Sequence, residues 1–156
     1  EPPAAARLLC KRAEKETPIL AILGKQAIDD DASQTGQMLA ALWDRPQATS
    51  ASKLELQDGV ARVTREVDAG LETIEVDLPA VCTVDLRLNE PRYIKLPDIM
   101  KAKKKPLDVT DLAALGVDSA PLLQVLKFEP PPQRQKGVMV KDAAELVAAL
   151  RQKGLV

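Results

Sequence analysis

The stretch Ile19–Asp31 (ILAILGKQAIDDD) decides the fold that this sequence predicts. Its first five residues form a continuous apolar run, and Gly24 closes the run. Such a run is typical of a strand that is buried on both faces of a parallel sheet. Before it, residues 4–13 (AAARLLCKRA) place apolar side chains at helical spacing, and the helix ends before Pro18. A helix followed by a buried strand predicts an α/β layer.

The polar segment Gly24–Thr35 (GKQAIDDDASQT) follows this strand and leads into a predicted helix, Gln34–Trp43. Doubly wound sheets bind ligands at this place, the carboxyl end of a strand. We expect Ser33, or Asp31 with Gln34 as its reciprocal partner, to cap the helix, and the free amides to face an anion such as phosphate. The carboxylates could instead accept hydrogen bonds from ribose hydroxyls. By residue types alone such a loop is more often a simple cap, and it is neither a GxGxxG motif nor a P-loop.

The next part of the chain, residues 47–78, has the sequence patterns of antiparallel strands. The residues on both sides of the turn at Asp58 and Gly59 alternate between apolar and polar, which predicts a β-hairpin. A second turn at Asp68–Gly70 adds a third strand, so we expect a small meander. Pro79 then opens another buried strand, AVCTVDL. The predicted elements are a polar connection over Gln47–Ser52 and strands over Lys53–Leu56, Val60–Val67 and Leu71–Leu78.

The lysine-rich segment, which we define as Val84–Lys105, has the features of a binding surface. Pro91 and Pro97 stiffen it, and a stiff segment loses little entropy when a partner binds. It offers apolar groups between the prolines and a concentrated positive field in its last turn. The alternative is a solvated helix end, since cations suit a helix C-terminus. The side chains in question are Tyr93, Ile94, Leu96, Lys101, Lys103, Lys104 and Lys105.

Residues 106–156 predict an extended arm that ends in a helix. The part over Pro106–Pro132 is irregular, with one short helix that ends near Gly116. Val138–Val140 is a candidate strand, and an apolar stripe predicts a helix over Lys141–Lys153. An arm of this kind often grips another subunit, although the pattern equally allows the helix to fold back on its own core.

The composition argues against several function classes. The chain has a net charge of −1 and one Trp, one Tyr and one Phe, which disfavours a nucleic-acid binder because stacking platforms are almost absent. No apolar run approaches the roughly 20 residues that cross a bilayer, so direct membrane insertion is not expected. The lack of histidine removes the usual general base and most zinc sites, so we predict no catalytic and no metal-binding residue. Cys10 and Cys82 lack a CxxC spacing and are expected to be reduced core thiols.

Three stretches resemble the electron transfer flavoprotein beta subunits. Residues 23–37 match the family segment LGKQAIDDD-x-x-QTGQ, and residues 63–83 resemble the beta-subunit signature. The runs DLRLNEPRY and LPDIMKAKKK, both within residues 85–105, resemble the partner-recognition loop of the family. The resemblance extends from about residue 6 to the end of the chain.

The resemblance and the patterns together imply the fold. We expect an α/β, Rossmann-like adenine-nucleotide-binding fold with a mainly parallel sheet, a small antiparallel meander and an extended C-terminal arm ending in a helix. Residues 1–105 would form an incomplete α/β nucleotide-binding domain that includes the recognition loop 84–105. Residues 106–156 would form the arm and helix.

The resemblance also implies roles for individual residues. Glu66 corresponds to a glutamate that pairs with an arginine of the flavin domain and orients that domain. Leu96 corresponds to an anchor leucine that enters a pocket of partner acyl-CoA dehydrogenases, and Lys101 and Lys104 to lysines that the family methylates. The implied AMP site consists of Gly24, Lys25, Gln26, Ala27, Ile28, Asp29, Asp30, Asp31, Ser33, Gln34 and Thr35. The implied docking surface consists of Tyr93, Leu96, Pro97, Ile99, Met100, Lys101 and Lys104.

The implied function is that of an electron carrier. An alpha subunit would share the FAD, and AMP would serve structure rather than chemistry. Electrons would pass from dehydrogenases of the acyl-CoA type to the respiratory chain through a quinone oxidoreductase. The alternative is a structural subunit derived from this family and built into a larger mitochondrial respiratory complex, because a sheet without its first strands exposes unpaired edges. The expected compartment is the mitochondrial matrix, or the bacterial cytoplasm for a prokaryotic protein.

Overall fold

The computed structural model describes all residues from Glu1 to Val156. The helices are α1 (Pro2–Glu16), α2 (Thr35–Trp43), α3 (Leu96–Ala102) and α4 (Ala143–Gln152). The strands are β1 (Leu20–Gly24), β2 (Gln47–Gln57), β3 (Val60–Val67), β4 (Gly70–Asp77) and β5 (Ala80–Val84). Two short 3-10 turns cover Leu86–Leu88 and Leu112–Leu115.

A five-stranded sheet with the order β1-β5-β2-β3-β4 organises the first of two compact units, Glu1–Leu123. β1, β5 and β2 run parallel, whereas β2, β3 and β4 form an antiparallel meander. The predicted α/β fold, Rossmann-like with a small meander, is confirmed. The predicted division of the chain at residue 105 stays a prediction.

The hairpin between β2 and β3 forms where the turn residues predict it. Gln57 pairs with Val60, and Asp58 and Gly59 between them have φ angles of 50° and 83°. A two-residue turn with both residues at positive φ matches the right-handed twist of the flanking strands, which is why Asp-Gly favours it. The turn therefore fixes the register of the meander.

The predicted polar connection over Gln47–Ser52 is wrong, because these residues form the first part of β2. Ala48 pairs with Cys82 of β5, and a register shift follows before the next pair, Ala51 with Val84. Pairing with a neighbouring strand supplies backbone hydrogen bonds to a segment whose composition is that of a loop. Sequence composition does not report such a neighbour.

β1 is an edge strand, and the prediction that it is buried on both faces is wrong. It pairs with β5 alone, and the side chain of Ile22 is 53% exposed. An apolar run reports what its side chains prefer but not where the strand lies in the sheet. The edge consequently presents apolar side chains and unpaired backbone groups.

The core lies on the two faces of β5. On one face Val81 packs with Ala6 and Cys10 of α1 and with Leu39 and Ala40 of α2. On the other face Cys82 packs with side chains of β2 and β3, namely Ala48, Ala51, Ala61 and Val63. Both cysteines are buried free thiols as predicted, and burial raises the pKa of each. They are therefore poorly reactive members of the core.

The second compact unit is Gln124–Val156. Its helix α4 begins where Asp142 accepts a hydrogen bond from the Glu145 N–H at 2.8 Å, and the helix ends before Gly154, which has a φ of 68°. The candidate strand Val138–Val140 does not form, since an extended segment needs a partner strand to be a strand. In neither unit is there a helix with the length and apolar character needed to span a bilayer.

Candidate functional site

The segment Gly24–Thr35 starts at the carboxyl ends of two adjacent parallel strands. Gly24 of β1 lies opposite Val84 of β5, and the Lys25 N–H donates to the Val84 carbonyl at 2.9 Å. The strands therefore place the segment at the edge of the sheet where parallel α/β proteins bind ligands.

Its three consecutive aspartates order the loop itself. The Asp29 carboxylate accepts from the Asp30 N–H at 3.0 Å, and the Asp30 carboxylate accepts from the Ala32 N–H at 3.1 Å. The Gln26 amide donates to the Asp31 carboxylate at 2.7 Å. The bond from the Ala32 N–H to the Asp30 carboxylate, two residues back, is an Asx turn of the kind that aspartate favours. The loop thus has a defined shape of its own.

Neither predicted residue caps α2. The preceding residue, Gln34, makes no side-chain capping bond, while the Asp31 carboxylate is taken by Gln26. Ser33 has a φ of 52°, whereas a capping residue needs an extended backbone. The first N–H groups of α2 therefore have no side-chain acceptor, and they carry the positive end of the helix dipole.

A cavity of about 380 Å³ opens beside this segment. Three of its residues, Ile28, Val84 and Leu86, present apolar surface, and the others offer an amide, a carboxylate and an ammonium group. This mixture suits a nucleoside, whose base is flat and apolar and whose ribose donates hydrogen bonds. The lining residues are Gly24, Lys25, Gln26, Ile28, Asp31, Val84 and Leu86.

A charged cluster, which we define as Lys25, Glu66, Asp85 and Arg87, joins the segment to the sheet. Asp85 is 8% exposed and accepts from the Lys25 ammonium at 2.5 Å and from the Arg87 Nε at 2.9 Å. Arg87 also forms an ion pair with Glu66 of β3. The Arg87 guanidinium and then the Lys25 ammonium hold the pKa of Asp85 far below its usual range. Asp85 is therefore charged whenever the protein is folded under ordinary conditions.

Sequence reasoning missed Asp85 and Arg87 as site residues. The available signal was the position of Asp85 directly after a buried strand, where side chains meet those of the neighbouring strand end. Glu66 was predicted to orient a flavin domain, and the structure places it on β3 beside Arg87. Its role toward a flavin domain stays a prediction.

The lysine-rich segment is exposed along its predicted docking residues. Leu96 is 71% exposed, Tyr93 is 87% exposed and Met100 is 52% exposed. Leu96 is the first residue of α3 rather than a loop residue, because Pro97 favours the first turn of a helix. The contacts of this segment with Gly24–Thr35 are made by Val84 and Asp85 at its start, which bond to Lys25, and no hydrogen bond or ion pair joins the predicted docking residues to Gly24–Thr35. The exposed residues are Tyr93, Leu96, Pro97, Ile99, Met100, Lys101 and Lys104.

Comparison with known proteins identifies the family. The sequence profile described as "Electron transfer flavoprotein domain" matches residues 1–115. The chain belongs to the electron transfer flavoprotein family. The resemblance seen in three short stretches of sequence is therefore confirmed over most of the chain.

The curated relatives of this family member are beta subunits. It is similar to "Electron transfer flavoprotein subunit beta" of Bradyrhizobium diazoefficiens, with 59% identity over 97% of this chain and 61% of the relative. The mouse protein of the same name is 54% identical over 97% of this chain and 59% of its own length. The Dictyostelium discoideum protein is 50% identical over 100% of this chain and 62% of its length. The chain thus spans about three fifths of the length of these relatives.

Proposed function

We propose that this chain is the nucleotide-binding part of an electron transfer flavoprotein beta subunit that carries electrons between flavoproteins. The observation that carries the proposal is the cavity at the carboxyl ends of β1 and β5, which is lined by the segment that leads into α2. The N-terminus of α2 has no side-chain cap. In α/β folds such a position receives the phosphate of a nucleotide.

The site would hold AMP through three kinds of contact. The unpaired N–H groups at the start of α2 would bind the phosphate, and the Asp31 carboxylate would accept hydrogen bonds from the ribose. Apolar atoms of Ile28, Val84 and Leu86 would face the base. AMP here ties a loop to the sheet and supplies no reacting group.

The exposed lysine-rich segment would dock the partner that delivers electrons. Apolar side chains on a short helix, flanked by lysines, fit a hydrophobic pocket with an acidic rim. In the proposed assembly an alpha subunit shares FAD with this subunit, Glu66 orients the flavin domain, and an acyl-CoA-type dehydrogenase reduces the flavin. A quinone oxidoreductase then accepts the electrons, in the mitochondrial matrix or the bacterial cytoplasm.

A structural role in a larger mitochondrial respiratory complex is the second candidate. The exposed apolar edge of β1 favours it, because stable assemblies cover such edges with another segment or chain. The two candidates differ in whether the protein binds a flavin that a dehydrogenase can reduce.

Release of bound nucleotide tests the AMP site. Denaturing the full-length protein in its native complex should release adenylate, and Asp30→Ala combined with Thr35→Val should abolish the release because the loop and the helix start are both altered. A matched control is Asp108→Ala combined with Thr110→Val, which changes the same residue types at exposed positions outside the sheet. Stoichiometric AMP in the Asp30/Thr35 double variant would contradict the assignment.

A further inference from the structure

Asp85 has more partners than its local role requires. Its Oδ1 accepts from the Arg87 N–H at 3.0 Å, and this one bond caps the 3-10 turn that follows. The same carboxylate also binds two cationic side chains, Lys25 and Arg87. One cation would compensate the charge of a buried carboxylate, so the second contact calls for its own explanation.

We propose that Asp85 is a positioning residue of the nucleotide segment: it holds Lys25, and through Lys25 the start of Gly24–Thr35, against the carboxyl end of β5. This inference rests on the proposed nucleotide function. It extends that function to a residue that contacts the loop from a different strand.

Lys25 is attached to Val84, the last residue of β5, and to Asp85, the residue that follows it. Its backbone N–H donates to the Val84 carbonyl at 2.9 Å, and its ammonium donates to Asp85 at 2.5 Å. Beyond Lys25 the side-chain hydrogen bonds of the loop are internal to it, as between Gln26 and Asp31. The orientation of the loop relative to the sheet therefore depends on the two bonds that Lys25 makes.

Arg87 holds Asp85 in the orientation that reaches Lys25. Its guanidinium bonds to the Asp85 Oδ1 while it also pairs with Glu66 on β3, two strands away from β5. The other oxygen, Oδ2, is thereby left facing Lys25. A charge-assisted network of this kind fixes side-chain rotamers as well as charge.

Amide exchange and AMP affinity in the full-length protein, within its native complex, test the proposal. In Asp85→Asn the Lys25 N–H should exchange about tenfold faster, and AMP should bind about tenfold more weakly, because a hydrogen bond to a charged group is lost. Lys25→Met should have the same effects, and the double variant should be no worse than either single change, since both act through one contact. Exchange at Val63, deep in the sheet, should not change.

Asp77→Asn is the matched control, because the Asp77 side chain is exposed at the end of β4 and makes no hydrogen bond or ion pair. Unchanged exchange at Lys25, or additive losses in the double variant, would overturn the proposal. If Asp85→Asn does not fold, Lys25→Met alone tests the proposal, because the Lys25 side chain is 39% exposed and its replacement should leave the fold intact. Unchanged exchange at residue 25 and unchanged AMP affinity in Lys25→Met would likewise overturn the proposal. If the wild-type protein binds no AMP, the proposed nucleotide-binding function is refuted. The exchange measurement would still test whether Asp85 positions Lys25.

Discussion

Asp85 makes the free energy of unfolding depend on pH in the acid range. Its pKa in the folded protein is lowered from 3.8 by Arg87 and Lys25, so the folded state holds the charged carboxylate more strongly than the unfolded chain does. The stabilisation is fully present above the unfolded pKa and is lost as the pH falls below it toward the folded pKa.

The difference in free energy of unfolding between wild type and Asp85→Asn should accordingly be constant above about pH 5 and shrink as the pH falls below about 4. Denaturant unfolding at a series of pH values measures it, with Asp77→Asn as the control. If this difference in free energy of unfolding grew as the pH fell, it would contradict a lowered pKa of Asp85 in the folded protein.

Gly36 is required by the contact of α2 with β5. A Cβ added at this residue would lie 2.2 Å from the Thr83 Cγ2, and Thr83 is itself buried. Gly36→Ala should destabilise the protein by about 1–3 kcal/mol even though alanine favours a helix, because overpacking outweighs propensity.

A shift in the denaturant midpoint would show this loss. Gly137→Ala is the matched control, since a Cβ there meets nothing within 4 Å. Equal stabilities of the two variants would mean that α2 can move away from β5 at little cost, which would contradict the close contact between Gly36 and Thr83.

At the scale of the element, α3 is a helix whose seven residues are all exposed. If Leu96 anchors a partner, Leu96→Ala should weaken docking to a dehydrogenase by about 1–3 kcal/mol, the range for a buried leucine at an interface. Stability should change by less than about 0.5 kcal/mol, because the side chain supports no core.

Calorimetric titration with the dehydrogenase, alongside thermal unfolding of the same preparation, measures both quantities. Leu107→Ala removes an even more exposed leucine just beyond α3 and should leave docking unchanged. Unaltered affinity for Leu96→Ala at normal stability would refute the anchor role.

Elements with local signals could be predicted from the sequence, and elements that depend on a distant neighbour could not. The Asp58 and Gly59 turn dictates the hairpin through its own backbone angles, and the apolar spacing in residues 4–13 predicts that α1 is a helix. The first part of β2 is strand because β5 pairs with it, and nothing in Gln47–Ser52 signals that pairing. The site divides in the same way: the loop Gly24–Thr35 was predictable, but Asp85 reaches it from 60 residues along the chain.

At the scale of the whole molecule, the two proposed binding features start from one sheet. The nucleotide segment begins at the carboxyl end of β1, and the lysine-rich segment begins where β5 ends. Neither needs a catalytic side chain, because an electron carrier binds its cofactor and its partners while the cofactor performs the chemistry. The proposed carrier role accounts for both features with no reacting residue in this chain.

Reduction of a bound flavin by a dehydrogenase tests the proposed carrier role most directly. The full-length protein, purified with its alpha subunit, should contain one flavin per heterodimer. Its flavin absorbance should fall when an acyl-CoA dehydrogenase and its substrate are added, and should recover when a quinone oxidoreductase accepts the electrons. A complex that contains no flavin, or a flavin that stays oxidised beside a reduced dehydrogenase, would contradict the carrier role and favour the structural one.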